Sequence, residues 1–295
     1  MKNTVFKGMA SAMITPMNEN GVDYDAFGRF IDFQIESGIN ALVAVGTTGE
    51  SATLESAEQR AVIRFAVERA AGRVPIIAGT GANSTKHALA NTRAACEVGA
   101  DAVLVVTPYY NKATQNGLID HYTAVADAST VPVILYNVPG RTGCNLLPKT
   151  VAKLAEHPNI VGIKEAAGNM AQVVELMSLC GDKIDVYSGE DALTVPILAM
   201  GGVGTISVLS NVVPKEAVAM TDAFFAGNIQ EAAAMQCKLL PLIKALFSEV
   251  NPIPAKAAVS AMGFGKDYLR MPLTPMEPAN RAVLYTEMRK LGVDV

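Results

Sequence analysis

Eight short apolar runs alternate with longer amphipathic stretches along most of this chain, and few folds accommodate that rhythm. The runs are Met9–Pro16 (MASAMITP), Ala41–Gly46 (ALVAVG), Val74–Gly79 (VPIIAG) and Asp101–Pro108 (DAVLVVTP), then Val131–Asn137 (VPVILYN), Ile160–Glu165 (IVGIKE), Ile184–Gly189 (IDVYSG) and Gly202–Val208 (GVGTISV). A strand buried on both faces reads as a continuous apolar run, and such strands belong to parallel sheets. Between the runs, DAFGRFIDFQIESG and ESAEQRAVIRFAVERAAG carry apolar residues three and four apart and close on glycine, the pattern of a helix with one buried face. Strands and helices alternating without a break in composition predict an α/β chain folded as a (β/α)8 TIM barrel. The eighth helix is predicted over Pro214–Phe225, which assigns residues 1–225 to the barrel. Residues 226–295 exceed what closure needs, and IQEAAAMQCKLLPLIKALFSE and EPANRAVLYTEMRKLG predict additional C-terminal helices packed outside it. A doubly wound sheet is the alternative; the GxG turn expected after its first strand is missing.

Composition narrows the function. Half of the 295 residues are hydrophobic, ample for a large core. A net charge of −4 without a basic cluster argues against nucleic acid or an anionic membrane as partner. No apolar run approaches the roughly 18 residues that span a bilayer. Lys7 interrupts any would-be signal core, so no export signal is read and a cytoplasmic location is expected. Cys96, Cys144, Cys180 and Cys237 form no CxxC pair, and His87, His121 and His157 lie on unrelated segments. Neither set has metal-ligand spacing, so no metal or cofactor is expected, and the thiols read as incidental residues of a reducing compartment.

In a barrel the chemistry sits at the C-terminal ends of the strands. The second run ends in GTTGES (Gly46–Ser51), where Gly46 and Gly49 allow tight turns and Thr47 and Thr48 offer hydroxyls and amides at a helix start, a cradle for a carboxylate. An ordinary helix cap would look the same. The fourth ends in TPYYN and the fifth in YNVPGRTG; their tyrosines can pack or relay protons. Arg141, on a Pro139–Gly140 turn, is a surface charge or a carboxylate clamp. Lys164 stands next to last in the sixth run. A lysine at a strand end usually marks the surface, but an inward position at a barrel mouth desolvates the ammonium and favours the free amine. A free amine attacks a ketone to form a Schiff base, and the adjacent carbon can then lose a proton as an enamine. Lys256, in PIPAKAA, is the competing amine, the poorer candidate on a helix outside the barrel.

Together GTTGES, TPYYN, YNVPGRTG, GIKEAAG and YSGED resemble the dihydrodipicolinate synthase family of pyruvate-dependent, lysine-type aldolases, with the likeness running from MITP to NPIPAKAA. The resemblance implies condensation of pyruvate with L-aspartate 4-semialdehyde, the first committed step of the diaminopimelate route to lysine. It implies that Lys164 forms the Schiff base, Tyr136 gives and takes protons, and Thr47 and Tyr110 relay them, Tyr110 entering a neighbouring subunit's site. It further implies that Thr48 binds the pyruvate carboxylate, Arg141 clamps the aldehyde's carboxylate, and Gly189 and Ile206 line the site with backbone carbonyls. The assembly implied is a homotetramer, a dimer of tight dimers.

One stretch departs from the pattern. Feedback-inhibited relatives bind lysine at a dimer interface through histidines after GESATL and a glutamate after GTGAN; Ser56, Gln59 and His87 stand here instead, which implies weak or absent inhibition by lysine. Two rival readings are open. A sister aldolase of sugar acids shares the lysine and tyrosine but typically lacks an arginine at the position of Arg141. A non-catalytic keto-acid sensor would be expected to have lost Lys164 or Tyr136.

Overall fold

The computed structural model describes residues 3–295. The strands are β1 (Gly8–Ala12), β2 (Ala41–Ala44), β3 (Ile76–Gly79), β4 (Ala102–Val106), β5 (Val133–Asn137), β6 (Ile160–Glu165), β7 (Asp185–Ser188) and β8 (Gly204–Ser207). Each returns through a helical crossover, so neighbours pair in parallel, and β8 closes on β1 through Gly8↔Gly204 to Ser11↔Ser207. The fold is the (β/α)8 barrel that the sequence predicts.

Side chains alternate between two cores. Along β5, Ile134 and Tyr136 join the barrel interior with Ala10, Val43, Leu104 and Ile206, whereas Val133 and Leu135 pack outward under the helices. A register shift between Val133 and Ile134 offsets β6 by one residue and sets the rows above it: Tyr136 lies opposite Lys164, and Asn137 opposite Glu165. Without that shift Lys164 would face the other way, because a slip of one residue exchanges the two faces of a strand.

The strands are shorter than the apolar runs. Met13 and Ile14 leave β1 yet stay buried, so burial outlasts sheet pairing. A two-residue hairpin, Met17–Asn18 with Gly21–Val22, had no distinguishing pattern in the sequence. The helix over Pro214–Phe225 forms as expected. Beyond it, Ile229–Leu246 and Pro278–Lys290 are the two helices read from the sequence, and Ile253–Ala261 is a further one carrying Lys256. Among the described residues no helix is long and apolar enough to cross a membrane.

Candidate active site

A cavity of about 200 Å³ opens at the C-terminal ends of the strands. Its lining includes Thr47, Thr48, Tyr136, Arg141, Lys164 and Gly189, so six of the eight residues singled out in the sequence converge on one space. Lys164 is 5% exposed, and its Nζ lies 4.4 Å from the centroid of the Tyr136 ring. The ring's negative face attracts the ammonium.

Gly189 makes room for the lysine. An ideal Cβ there would lie 2.9 Å from both Cγ and Cε of Lys164 and 2.7 Å from Cβ of Ala166. The stem therefore runs through the space a side chain at position 189 would fill. Outside the barrel wall, Asn137 Nδ2 donates to Glu165 Oε2 at 3.0 Å, Ala167 N to Oε1 at 2.7 Å and Gln172 Nε2 to Oε2 at 3.2 Å. These bonds fasten β5 to β6 one residue beyond the Tyr136–Lys164 pair. Glu190 also lines the cavity; burial, reinforced by the charge of Asp191, raises its carboxyl above the usual range.

The threonine loop differs from its expected form. Thr47 and Thr48 do not start a helix: a 3-10 turn covers Ser51–Thr53, and the next helix, Ser56–Ala70, is capped by a reciprocal Glu55–Glu58 box. Nor do Gly46 and Gly49 supply the left-handed positions, which fall on Val45 (φ 58°) and Glu50 (φ 59°). Gly49 serves close approach instead, since a Cβ there would sit 3.2 Å from the Met13 carbonyl, Thr15 Oγ1 and Val45 N. The threonines are held by tertiary contacts, among them Asn251 Nδ2 donating to Thr48 Oγ1 at 2.9 Å.

Arg141 rides on a short helix, Pro139–Thr142, that the sequence suggested only as a turn, and it stands exposed at the cavity rim. Two residues do not reach the cavity. Ile206 is 1% exposed within the interior apolar cluster, and Val208, two residues on, lines the cavity in its stead. Tyr110 is 90% exposed with φ 74° and stands clear of its own chain's cavity. Ser56, Gln59 and His87 line an adjoining groove of about 510 Å³.

Sequence reasoning missed Glu50, Phe247 and Asn251. Phe247 and Asn251 come from the C-terminal extension and line the cavity, while Glu50 pairs with Lys256 beneath the threonine loop. A lysine in an alanine-rich helix carries no local sign that it is buried, so its 1% exposure is visible only in three dimensions. Among the described residues no cluster of three or more His, Cys, Asp or Glu could hold a metal ion.

The chain matches the model of the Dihydrodipicolinate synthetase family over residues 5–290. It is 53% identical to the 4-hydroxy-tetrahydrodipicolinate synthase of Geotalea uraniireducens (strain Rf4), an alignment covering 98% of this chain and 100% of that one. The crystal structure of dihydrodipicolinate synthase from Aquifex aeolicus superposes with a TM-score of 0.96 at 44% identity, covering 98% of this chain and 99% of the other. The chloride-inhibited enzyme from Acinetobacter baumannii, solved in complex with pyruvate, gives 0.96 at 43% identity over 99% and 100% of the two chains. This chain belongs to the dihydrodipicolinate synthetase family.

Proposed function

We propose that this chain is a 4-hydroxy-tetrahydrodipicolinate synthase, condensing pyruvate with L-aspartate 4-semialdehyde through a Schiff base on Lys164. The observation that carries the reading is the convergence of the buried Lys164 amine, the Tyr136 ring and the Thr47–Thr48 hydroxyls on one cavity with Arg141 at its rim. The names of relatives about half identical over nearly the whole chain support it.

Lys164 Nζ attacks the pyruvate ketone, water leaves, and an imine forms. Tyr136 moves the protons of that exchange, with Thr47 as its relay, and Thr48 holds the pyruvate carboxylate. Loss of a methyl proton gives the enamine, whose carbon attacks the aldehyde presented by Arg141. The aldehyde substrate's own amine then displaces Lys164 from the imine carbon, which closes the ring and frees Nζ for the next turn. Overall, one water is released for each pair of substrates joined.

Tyr110 serves a neighbouring subunit's site in this reading; its 90% exposure and left-handed backbone at a loop tip support a homotetramer in which that ring is covered. Gly189 contributes a backbone carbonyl. A cytoplasmic location agrees with four cysteines spaced far apart without a CxxC pair. Weak or absent inhibition by lysine is supported by the adjoining groove: its one carboxylate among the described lining residues is Glu50, already paired, and Gln59 spends its amide on Ser51 O and Leu54 O. A submillimolar lysine inhibition constant would contradict that.

The test is to add pyruvate and borohydride and weigh the protein. Wild type gains a stable pyruvyl group at Lys164, and Lys164→Ala gains none. Turnover with aspartate semialdehyde against cleavage of sugar acids then separates the synthase from a sister aldolase.

A further inference from the structure

Lys256 is the competing amine of the sequence, and its surroundings give it another task. It is 1% exposed on the helix Ile253–Ala261 of the C-terminal extension. Its Nζ lies 2.7 Å from Glu50 Oε1 and donates to the Thr15 carbonyl at 2.6 Å. Two full charges are thus taken out of water outside the barrel wall, where a pair of apolar side chains would commonly serve stability as well. Burial pushes the Lys256 ammonium down, with Glu50 opposing the shift. An explanation beyond stability therefore has to come from what the pair holds.

It holds the end of the threonine loop. Glu50 closes GTTGE in a left-handed conformation, φ 59°, which a residue with a side chain keeps only when its surroundings impose it. Its backbone N donates to the Thr47 carbonyl at 3.1 Å, so the position of Glu50 is passed directly to Thr47. Three more bonds fix the same segment: Thr15 Oγ1 donates to Gly49 O at 2.7 Å, Asn251 Nδ2 to Thr48 Oγ1 at 2.9 Å and Arg270 N to Glu50 Oε2 at 3.2 Å. Asn251, Lys256 and Arg270 all belong to the extension, while Thr15 follows β1. The loop lacks a helix of its own to rest on, and these neighbours supply its support.

We propose that the buried Lys256–Glu50 ion pair is a positioning device that sets the Thr47 and Thr48 hydroxyls for the keto acid, making the C-terminal extension a working part of the active site. This rests on the Schiff-base reading above. Neither residue lines the Lys164 cavity, so both act through the loop.

The test uses the full chain and two variants. Glu50→Gln/Lys256→Met removes both charges and strands neither; Glu50→Asp keeps both and shortens the reach by one methylene. Circular dichroism and a thermal melt establish folding, followed by kcat, the KM of each substrate and the rate of borohydride trapping of pyruvate. The double variant is expected to fold and to lose about 100-fold in kcat, the scale of a misplacement near 1 Å. Its pyruvate KM rises and its trapping slows, while the KM of the aldehyde, set at Arg141, is unchanged. A purely structural pair would lower kcat only with the folded fraction and leave both KM values alone, and that result overturns the proposal. Should the double variant not fold, Glu50→Asp is held to the same criteria, with wild-type kcat and pyruvate KM overturning it. A wild-type protein that traps no pyruvate overturns the Schiff-base reading and this inference together, whereas trapping in wild type with unaffected variants overturns the inference alone.

Discussion

Replacing Gly189 by alanine tests whether the lysine stem depends on the space beside it. The new methyl would lie 2.9 Å from Cγ and Cε of Lys164 and 2.7 Å from Cβ of Ala166. Carbon atoms pack at about 3.5–4.0 Å, so the stem must retreat by on the order of 1 Å. The Ala166 methyl has no rotamer into which to move, and the backbone of one strand end must shift as well. Overpacking of this kind costs about 1–3 kcal/mol, against a total stability of about 5–15 kcal/mol, so the variant folds. Its amine, however, leaves its position over the Tyr136 ring, and a displacement near 1 Å lowers the rate about 100-fold, or about 2.7 kcal/mol in barrier. The assay is the rate of borohydride trapping of pyruvate, with the melting temperature recorded alongside. Gly140→Ala is the control, since a Cβ there meets nothing within 4 Å and its φ is not left-handed. A folded Gly189→Ala that traps pyruvate at the wild-type rate would refute the argument, because the stem would then not need that space.

Three further outcomes are expected. Tyr136→Phe keeps the packing of the ring and the binding of pyruvate but lowers turnover by about 10²–10⁴-fold, the range for a proton-transfer group; unchanged turnover would remove the hydroxyl from the mechanism. Arg141→Ala raises the KM of the aldehyde about 10- to 100-fold, as loss of a charge-assisted bond of about 1.5–3 kcal/mol implies, and leaves that of pyruvate nearly intact; equal losses for both would point to a structural role. His121 bonds Thr85 Oγ1 through Nδ1 at 2.9 Å, and burial lowers its pKa below the ordinary 6.5. The unfolded chain then takes up a proton first as pH falls through 6.5, so stability is lost on the acid side. His121→Gln lacks that loss, and thermal melts at neutral and mildly acidic pH should show wild type losing ground to the variant; the opposite trend would contradict a buried neutral imidazole.

How much of the site could be read in advance differs from residue to residue. Lys164 and Tyr136 were legible as residue types because barrel chemistry gathers at the C-terminal ends of the strands, but the register shift that turns Lys164 inward was not. Strand ends were overextended at Met13 and Ile14, since a buried loop is as apolar as the strand it continues. Arg141 was singled out as a surface charge or a carboxylate clamp, but the short helix beneath it was not read, because four residues are too few to carry a periodicity. Thr47 and Thr48 were identified, yet their support was misassigned to a helix start and to glycines. Nothing in VGTTGES records that Val45 and Glu50 take the left-handed positions.

The sequence by itself determined the eightfold alternation, the parallel pairing and the residue types at the barrel mouth. These follow from burial patterns within a few residues and from the way a helical crossover must return to a sheet. Tertiary structure alone decided that Lys164 faces inward opposite Tyr136, through a one-residue register shift, and that Gly189 leaves room for its stem. It also decided that Lys256 and Glu50 meet away from water, and that Ile206 falls short of the cavity while Tyr110 stands clear of it. Burial and distance are set by closure of the whole barrel, and no local stretch of chain encodes them.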